Sequence, residues 1–252
     1  MNNPHSLHGK KALVTGGKRR IGRGIALSLA EAGCDVGIND IVSDADADET
    51  MRLIRERSCE AEFFQADISN SVQVEAMFTD FHKRFGRIDI LVNNSGVTMR
   101  KEPEDLTGDE WDHVLNVNLR ACFLASKTVY PHMRDQGSGK IINIGSMTSI
   151  FGGGGSGAPY SSSKGGIVQL SKSLAVAWAK DNIQSNAILP GWFTTELTAA
   201  IPERQKERYQ LISSRIPAGR WGEPDELAGV AVFLASPASD YVTGSVIAVD
   251  GG

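Results

Sequence analysis

The chain has 252 residues, 41% of them hydrophobic, with 26 Lys and Arg against 30 Asp and Glu for a formal net charge of −4. That apolar content suffices for one large core, and the dispersal of both charge signs excludes the basic stripe expected of a nucleic-acid or anionic-membrane binder. One domain spanning residues 1–252 and acting on a small molecule is the expectation, with no nucleic-acid and no membrane partner.

Short apolar runs bounded by Gly, Asn and Asp alternate with helix-length amphipathic segments from Lys11 to Asp250. This alternation predicts βαβ units and an α/β, Rossmann-type doubly wound parallel sheet of about seven strands. The polar amino terminus lacks the apolar stretch of a signal peptide and no run is long enough to span a bilayer, so a cytoplasmic location is expected. Strands are predicted at Ala12–Thr15, Val36–Asn39, Ala61–Gln65, Ile88–Asn93, Ile141–Ile144, Ser185–Leu189 and Val246–Val249, nearly continuous apolar runs suited to burial on both faces.

After the first strand, Thr15-Gly-Gly-Lys-Arg-Arg-Ile-Gly22-Arg-Gly24 leads into a helical run beginning at Ile25. Strand, glycine-rich turn and helix together aim backbone N–H groups at a pyrophosphate, although tight turns use glycine for other reasons and the spacing departs from G-x-G-x-x-G. Asp40 ends the second strand, where a carboxylate accepts hydrogen bonds from adenosine ribose hydroxyls; its plain alternative is a polar strand end. Asp67 follows the third strand and Asn93-Asn94-Ser95-Gly96 the fourth, at the edge where ligands bind in open α/β sheets.

Helix starts are marked by Asn70 with Gln73, by the capping box from Thr107 to Glu110, and by Pro224 in a first turn. Ser146 follows the fifth strand, and the Gly152–Gly157 run reads as a loop beside it. Tyr160-Ser-Ser-Ser-Lys164 opens a helix, and a four-residue spacing puts both side chains on one face. A phenol titrates near about 10, so a neighbouring ammonium and a positively charged nicotinamide favour the phenolate and make Tyr160 a usable base. Thr194–Arg215 reads as a lid or substrate-selecting loop, with Arg204 and Arg208 as candidates for a substrate carboxylate or, equally, as solvated charges. Cys34, Cys59 and Cys122 have no C-x-x-C pair and read as reduced, buried thiols, and the five histidines lack metal-ligand spacing, so no metal is expected.

With Asn118 in the helical stretch from Trp111, these motifs stand in an order that resembles the short-chain dehydrogenase/reductase family over essentially the whole chain. The resemblance implies interconversion of a secondary alcohol and a ketone with a nicotinamide cofactor; Asp40 favours NAD, while Lys18, Arg19 and Arg20 would suit NADP, the second option. It implies Tyr160 as acid/base, Lys164 as its activator and ribose ligand, Ser146 as the donor to substrate oxygen, and Asn118 as holder of a relay water. Cofactor contacts are expected from Gly16, Arg19, Arg20, Ile21, Gly22, Asp40, Asp67, Ile68, Asn94, Gly96, Tyr160, Lys164, Pro190, Gly191, Phe193 and Thr195. Thr195 would meet the nicotinamide carboxamide.

Two departures stand out: Arg20 occupies the usual second turn glycine, as in pteridine reductases, and the interval from Ser146 to Tyr160 is one residue longer than in most members. The carboxyl-terminal stretches around Trp221 and Tyr241 look most like sugar-acid dehydrogenases of the gluconate or 2-deoxy-gluconate type. A 3-oxoacyl-thioester reductase is the alternative enzyme, and a non-catalytic cofactor-binding regulatory protein the alternative of another class. Relatives are commonly homotetramers, and the helix from Gly165 to Trp178 is the expected subunit contact, or else plain core.

Overall fold

Strand residues point alternately to opposite faces of a sheet, and here both faces are covered. The structure, a computed structural model, describes residues 3–152, 157–194 and 205–252. Seven strands, β1 (Lys11–Thr15), β2 (Asp35–Asp40), β3 (Ala61–Gln65), β4 (Ile90–Asn93), β5 (Gly139–Ile144), β6 (Ile183–Pro190) and β7 (Val246–Val249), form one sheet in the order β3-β2-β1-β4-β5-β6-β7. Every pairing is parallel.

Eight α-helices cover the sheet among the described residues: α1 (Arg20–Glu31), α2 (Ala45–Arg55), α3 (Ser71–Phe85), α4 (Gly108–Leu115), α5 (Ala121–Gln136), α6 (Ala158–Trp178), α7 (Lys206–Ser213) and α8 (Ala228–Ala235). Ala12, Val14, Ile90, Val92, Ile142 and Ile144 face one core with buried residues of α1, α2 and α8. Leu13, Leu91 and Ile141 face the other, with Phe78 and Phe81 of α3 and Val129 and Met133 of α5. Each fully buried side chain of this size contributes roughly 1.5–3 kcal/mol.

The predicted strands are all present: β3 and β7 keep the predicted bounds and the other ends differ by at most two residues. Caps form where the side chains allow them: Asn70 accepts from the N–H groups of Val72 and Gln73, and the Thr107–Glu110 capping box is complete. The helix containing Tyr160 begins two residues before it, at Ala158. Pro224 opens a short 3₁₀ turn, Pro224–Leu227, that runs into α8. The chain reverses its direction of travel across the sheet between β1 and β4, so a crevice opens at their carboxyl ends. No described helix is long and apolar enough to cross a membrane.

Candidate active site

The turn after β1 is held open by its backbone. Gly16 has φ +61°, and a Cβ there would lie 3.0 Å from Ser95 Oγ, which gives the serine at that position a packing partner. A Cβ on Gly22 would come within 2.1 Å of the Gly16 carbonyl oxygen. Arg20, standing where a glycine was expected, adopts φ +53°. The turn therefore keeps a glycine-like path, at roughly 1–2 kcal/mol for a side chain in the left-handed region. Arg19 occupies the cap position of α1 in extended geometry without a side-chain cap bond. The amino end of α1 thus meets the sheet's carboxyl edge without a cap from the Arg19 side chain.

Thr15 fastens this turn to the end of β4. Its Oγ1 accepts from the N–H groups of Asn94 at 3.0 Å and Ser95 at 3.1 Å, while Asn94 Nδ2 donates to the carbonyls of Thr15 and Gly16 at 2.9 and 3.1 Å. Asp40 ends β2 partly exposed, accepting from the N–H of Ile41 at 2.8 Å. Asp67 is committed to its own turn, accepting from the N–H and Oγ of Ser69, with buried Ile68 between them.

Between α4 and α5 the helix widens into a single π turn, Asn116–Arg120, carrying the fully buried Asn118. Such turns are frequent at functional sites because they displace a side chain from the regular ladder. Asn118 Oδ1 accepts from Val97 N–H at 2.8 Å, and its Nδ2 donates to Val97 O at 2.9 Å and to Ser163 Oγ at 3.0 Å. The side chain thereby spends both amide hydrogens on protein partners. Ser163 in turn donates to the Tyr160 carbonyl at 2.7 Å.

Ser146 lies just beyond β5. Its Oγ accepts from Thr148 N–H at 3.2 Å, and its N–H donates to Ser149 Oγ at 3.1 Å. Ser149 Oγ donates to the Lys164 carbonyl at 2.8 Å, tying this turn to α6. Lys164 is buried; its ammonium donates to Ile144 O at 2.7 Å and lies 5.8 Å from the centre of the Tyr160 ring. A Cβ on Gly96 would stand 3.3 Å from Asn118 Oδ1 and 3.6 Å from Lys164 Nζ, so the backbone here runs close to both side chains.

Asn118, Lys164 and Gly96 are therefore brought together, with Ser146 joined to them through Ser149 and α6. At β6, Pro190 ends the strand and Gly191 packs against Asp250, where a Cβ would be 2.6 Å from that residue's own Cβ. Phe193 is buried against Gly222 and pairs with it in a short parallel bridge. Trp221 packs in tilted contact against both Trp192 and Tyr209, with ring centres 5.3 and 5.1 Å away. Thr195 and Arg204 lie outside the described residues, as do the Arg208 side chain and residues 153–156 of the glycine run.

Sequence reasoning did not single out Ser163 or the buried ladder beneath the site. In that ladder Asn93 donates to Asn143 Oδ1 at 2.8 Å and Asn143 donates to Ser171 and Ser185. The available signal was polar residues, Asn93, Asn143 and Ser185, inside otherwise apolar strands. Among the described residues no group of three or more His, Cys, Asp and Glu is placed to hold a metal.

The sequence family described as enoyl-(acyl carrier protein) reductase matches residues 16–252. A 2-dehydro-3-deoxy-D-gluconate 5-dehydrogenase of Bacillus subtilis (strain 168) is 44% identical, covering 100% of this chain and 97% of its own length. A 5-keto-D-gluconate 5-reductase of Escherichia coli (strain K12) is 39% identical, covering 100% and 98%. The crystal structure of a gluconate 5-dehydrogenase from Burkholderia cenocepacia J2315, in complex with NADP and tartrate, superposes with a TM-score of 0.92 at 40% identity, covering 99% of this chain and 96% of that one.

Proposed function

Because the chain belongs to the short-chain dehydrogenase/reductase family and is an NAD(P)-dependent oxidoreductase of secondary alcohols and ketones, we propose that it acts on a gluconate-type sugar acid, at a ring-free secondary carbon such as C5. Relatives that share about two-fifths of the sequence and nearly the whole length carry out this chemistry by name, and a bound hydroxy-acid in one of them matches the substrate class. The observation that carries the reading is the buried Lys164 ammonium beside the Tyr160 ring and beneath Gly96.

The glycine cradle fits a dinucleotide: Cβ atoms at Gly16, Gly22 and Gly96 would fill the path along the turn and the Lys164 ammonium. Gly16, Arg19, Arg20, Ile21 and Gly22 would hold the phosphates, Asp40, Asp67 and Ile68 the adenosine, and Asn94, Gly96, Lys164, Pro190, Gly191, Phe193 and Thr195 the nicotinamide half. Asp40 makes NAD(H) the preferred form, since its carboxylate suits ribose hydroxyls and repels a 2′-phosphate. Bound there, a nicotinamide would supply hydride exchange with the carbinol carbon of the alcohol or the ketone.

Tyr160 exchanges the hydroxyl proton of the substrate through its phenol oxygen. The Lys164 ammonium, 5.8 Å from the centre of the Tyr160 ring, sets a cation beside the phenol and would meet the ribose. Ser146, whose oxygen already accepts from Thr148, keeps its own hydrogen for the substrate oxygen and orients it. Asn118 locks α5 to α6 and to the loop after β4, so its contribution to a relay water rests on its Oδ1 or main-chain carbonyl. The cytoplasm and a homotetramer complete the proposal, supported by three buried free thiols and by the exposed apolar residues Val176 on α6 and Tyr241 ahead of β7.

A panel of gluconate, keto-gluconates, polyols and a 3-oxoacyl thioester, followed by nicotinamide absorbance with both cofactors, tests the reading. Turnover confined to sugar acids supports it. Preferred turnover of the thioester replaces it with a 3-oxoacyl-thioester reductase, the activity that a Thermotoga maritima relative 36% identical carries by name, and binding of cofactor without any turnover points to a regulatory protein.

A further inference from the structure

The chain leaves β6 at the catalytic edge through Trp192, Phe193 and Thr194, and α7, further along the substrate-selecting stretch, carries Tyr209. Both places meet on Trp221, which is 4% exposed. Its ring centre lies 5.3 Å from that of Trp192, at an interplanar angle of 30°, and 5.1 Å from that of Tyr209, at 52°. The backbone repeats the first contact: Gly222 N–H donates to Trp192 O at 2.9 Å, and Thr194 N–H donates to Gly222 O at 2.8 Å. A Cβ on Gly222 would stand 2.7 Å from the Phe193 ring, so the two stretches are pressed together.

Trp221 is also held from behind. Arg220 forms a two-point fork with the Glu226 carboxylate at 2.7 and 2.6 Å and donates to the Trp221 carbonyl at 3.1 Å. Glu226 accepts in addition from Glu223 N–H at 2.8 Å, and Pro224 of the same turn packs on α1, where a Cβ on Gly24 would lie 3.2 Å from it. The indole nitrogen of Trp221 is buried without a hydrogen-bond partner. Buried donors are paired in the great majority of cases, so this ring is placed by its aromatic contacts and not by a hydrogen bond.

We propose that Trp221 is a positioning residue for the substrate: it pins Trp192–Thr194 and Tyr209 against one fixed turn and thereby sets substrate affinity. Hydride and proton transfer stay with the cofactor and the catalytic side chains. A stretch that must be ordered afresh at each encounter gives up part of its binding energy to conformational entropy, and the pinned ends reduce that loss. This inference rests on the reading of Thr194–Arg215 as the substrate-selecting segment.

Steady-state kinetics of the full chain, with the substrate that the panel selects and gluconate as the expected one, test it. Trp221→Leu is expected to raise KM for that substrate about tenfold, equivalent to about 1.4 kcal/mol and the scale of one lost aromatic pair. The turnover number should stay within about threefold and the cofactor dissociation constant within about twofold, on the same scale of one lost pair. Tyr209→Leu, at a half-buried position outside the two cores, tests the same contact where Trp221→Leu fails to fold, and is expected to raise KM severalfold. The double variant should exceed Trp221→Leu by less than about twofold, because the first change already removes the Tyr209 contact. Trp221→Phe keeps an aromatic face, loses the orphaned N–H and should bring KM back to within about threefold of the parent. A merely structural role loses folded enzyme, which lowers apparent kcat and leaves KM where it was. Unchanged KM in both leucine variants, or parallel losses of substrate and cofactor affinity, overturns the proposal. Turnover of a polyol or the thioester in place of a sugar acid overturns the sugar-acid reading alone, with the same ratios then read on that substrate, and no turnover at all overturns both.

Discussion

Replacing Asn118 with alanine tests whether this residue works first as a structural lock. The substitution removes three hydrogen bonds from a fully buried side chain: Val97 N–H, Val97 C=O and Ser163 Oγ lose their partner. An unsatisfied buried polar group costs about 1–3 kcal/mol. Val97 is half-buried and regains part of its loss from water, and Ser163 keeps its bond to the Tyr160 carbonyl. The net expectation is about 3 kcal/mol of stability, a Tm drop of roughly 6–12 °C for a domain of this size. Thermal unfolding followed by circular dichroism reads the loss, and amide hydrogen exchange reads protection at Val97, which should collapse. Ser163→Ala removes a single partner and should cost about 1 kcal/mol. A variant of Asn118 that melts within about 1 °C of the parent with Val97 still protected, yet turns over poorly, would refute the lock and leave only a direct role in proton transfer.

The remaining expectations concern proton transfer and titration. Tyr160→Phe should lower kcat about 10²–10⁴-fold while leaving the dissociation constant for the nicotinamide cofactor nearly unchanged, checked by fluorescence titration; comparable rates would remove Tyr160 as acid/base. Lys164→Ala should weaken cofactor binding and rate together, and an unchanged affinity would withdraw the ribose contact. Glu110 and Glu226 are each held at about 2, the first chiefly by the Thr107 N–H and the second by Arg220. Folded values below the unfolded ones give stability that is complete above the ordinary 4.5 and lost as pH falls toward 2. Glu110→Gln should therefore flatten the acid side of a Tm-against-pH curve, and an equally steep curve contradicts the assignment. Burial pushes Cys122 up to about 11 and raises Cys34 and Cys59 as well, so the native protein should react slowly with iodoacetamide at pH 8 and rapidly only after unfolding.

Local patterns carry much of this molecule. The seven apolar runs, the cap at Asn70, the box at Thr107–Glu110 and the Tyr160–Lys164 spacing depend on neighbours a few residues apart, and periodicity states such relations directly. The family's ordered motifs likewise single out Ser146 and Asn118, while Asp40 and the glycine-rich turn follow from their places after the second and first apolar runs.

Contacts between distant segments were decided only by packing. Lys18 meets Asp40 and Asp44 across a turn and a strand, 22 and 26 positions away, and nothing in a basic run tells a clamped ammonium from a solvated one. Asn118 finds Val97 and Ser163 because a π turn rotates it into the crevice, and Arg20 takes a left-handed φ because Gly16 and Gly22 must stay in close contact. Hydrogen-bonding capacity is written in each side chain, whereas its partner is fixed by which elements the two hydrophobic cores press together.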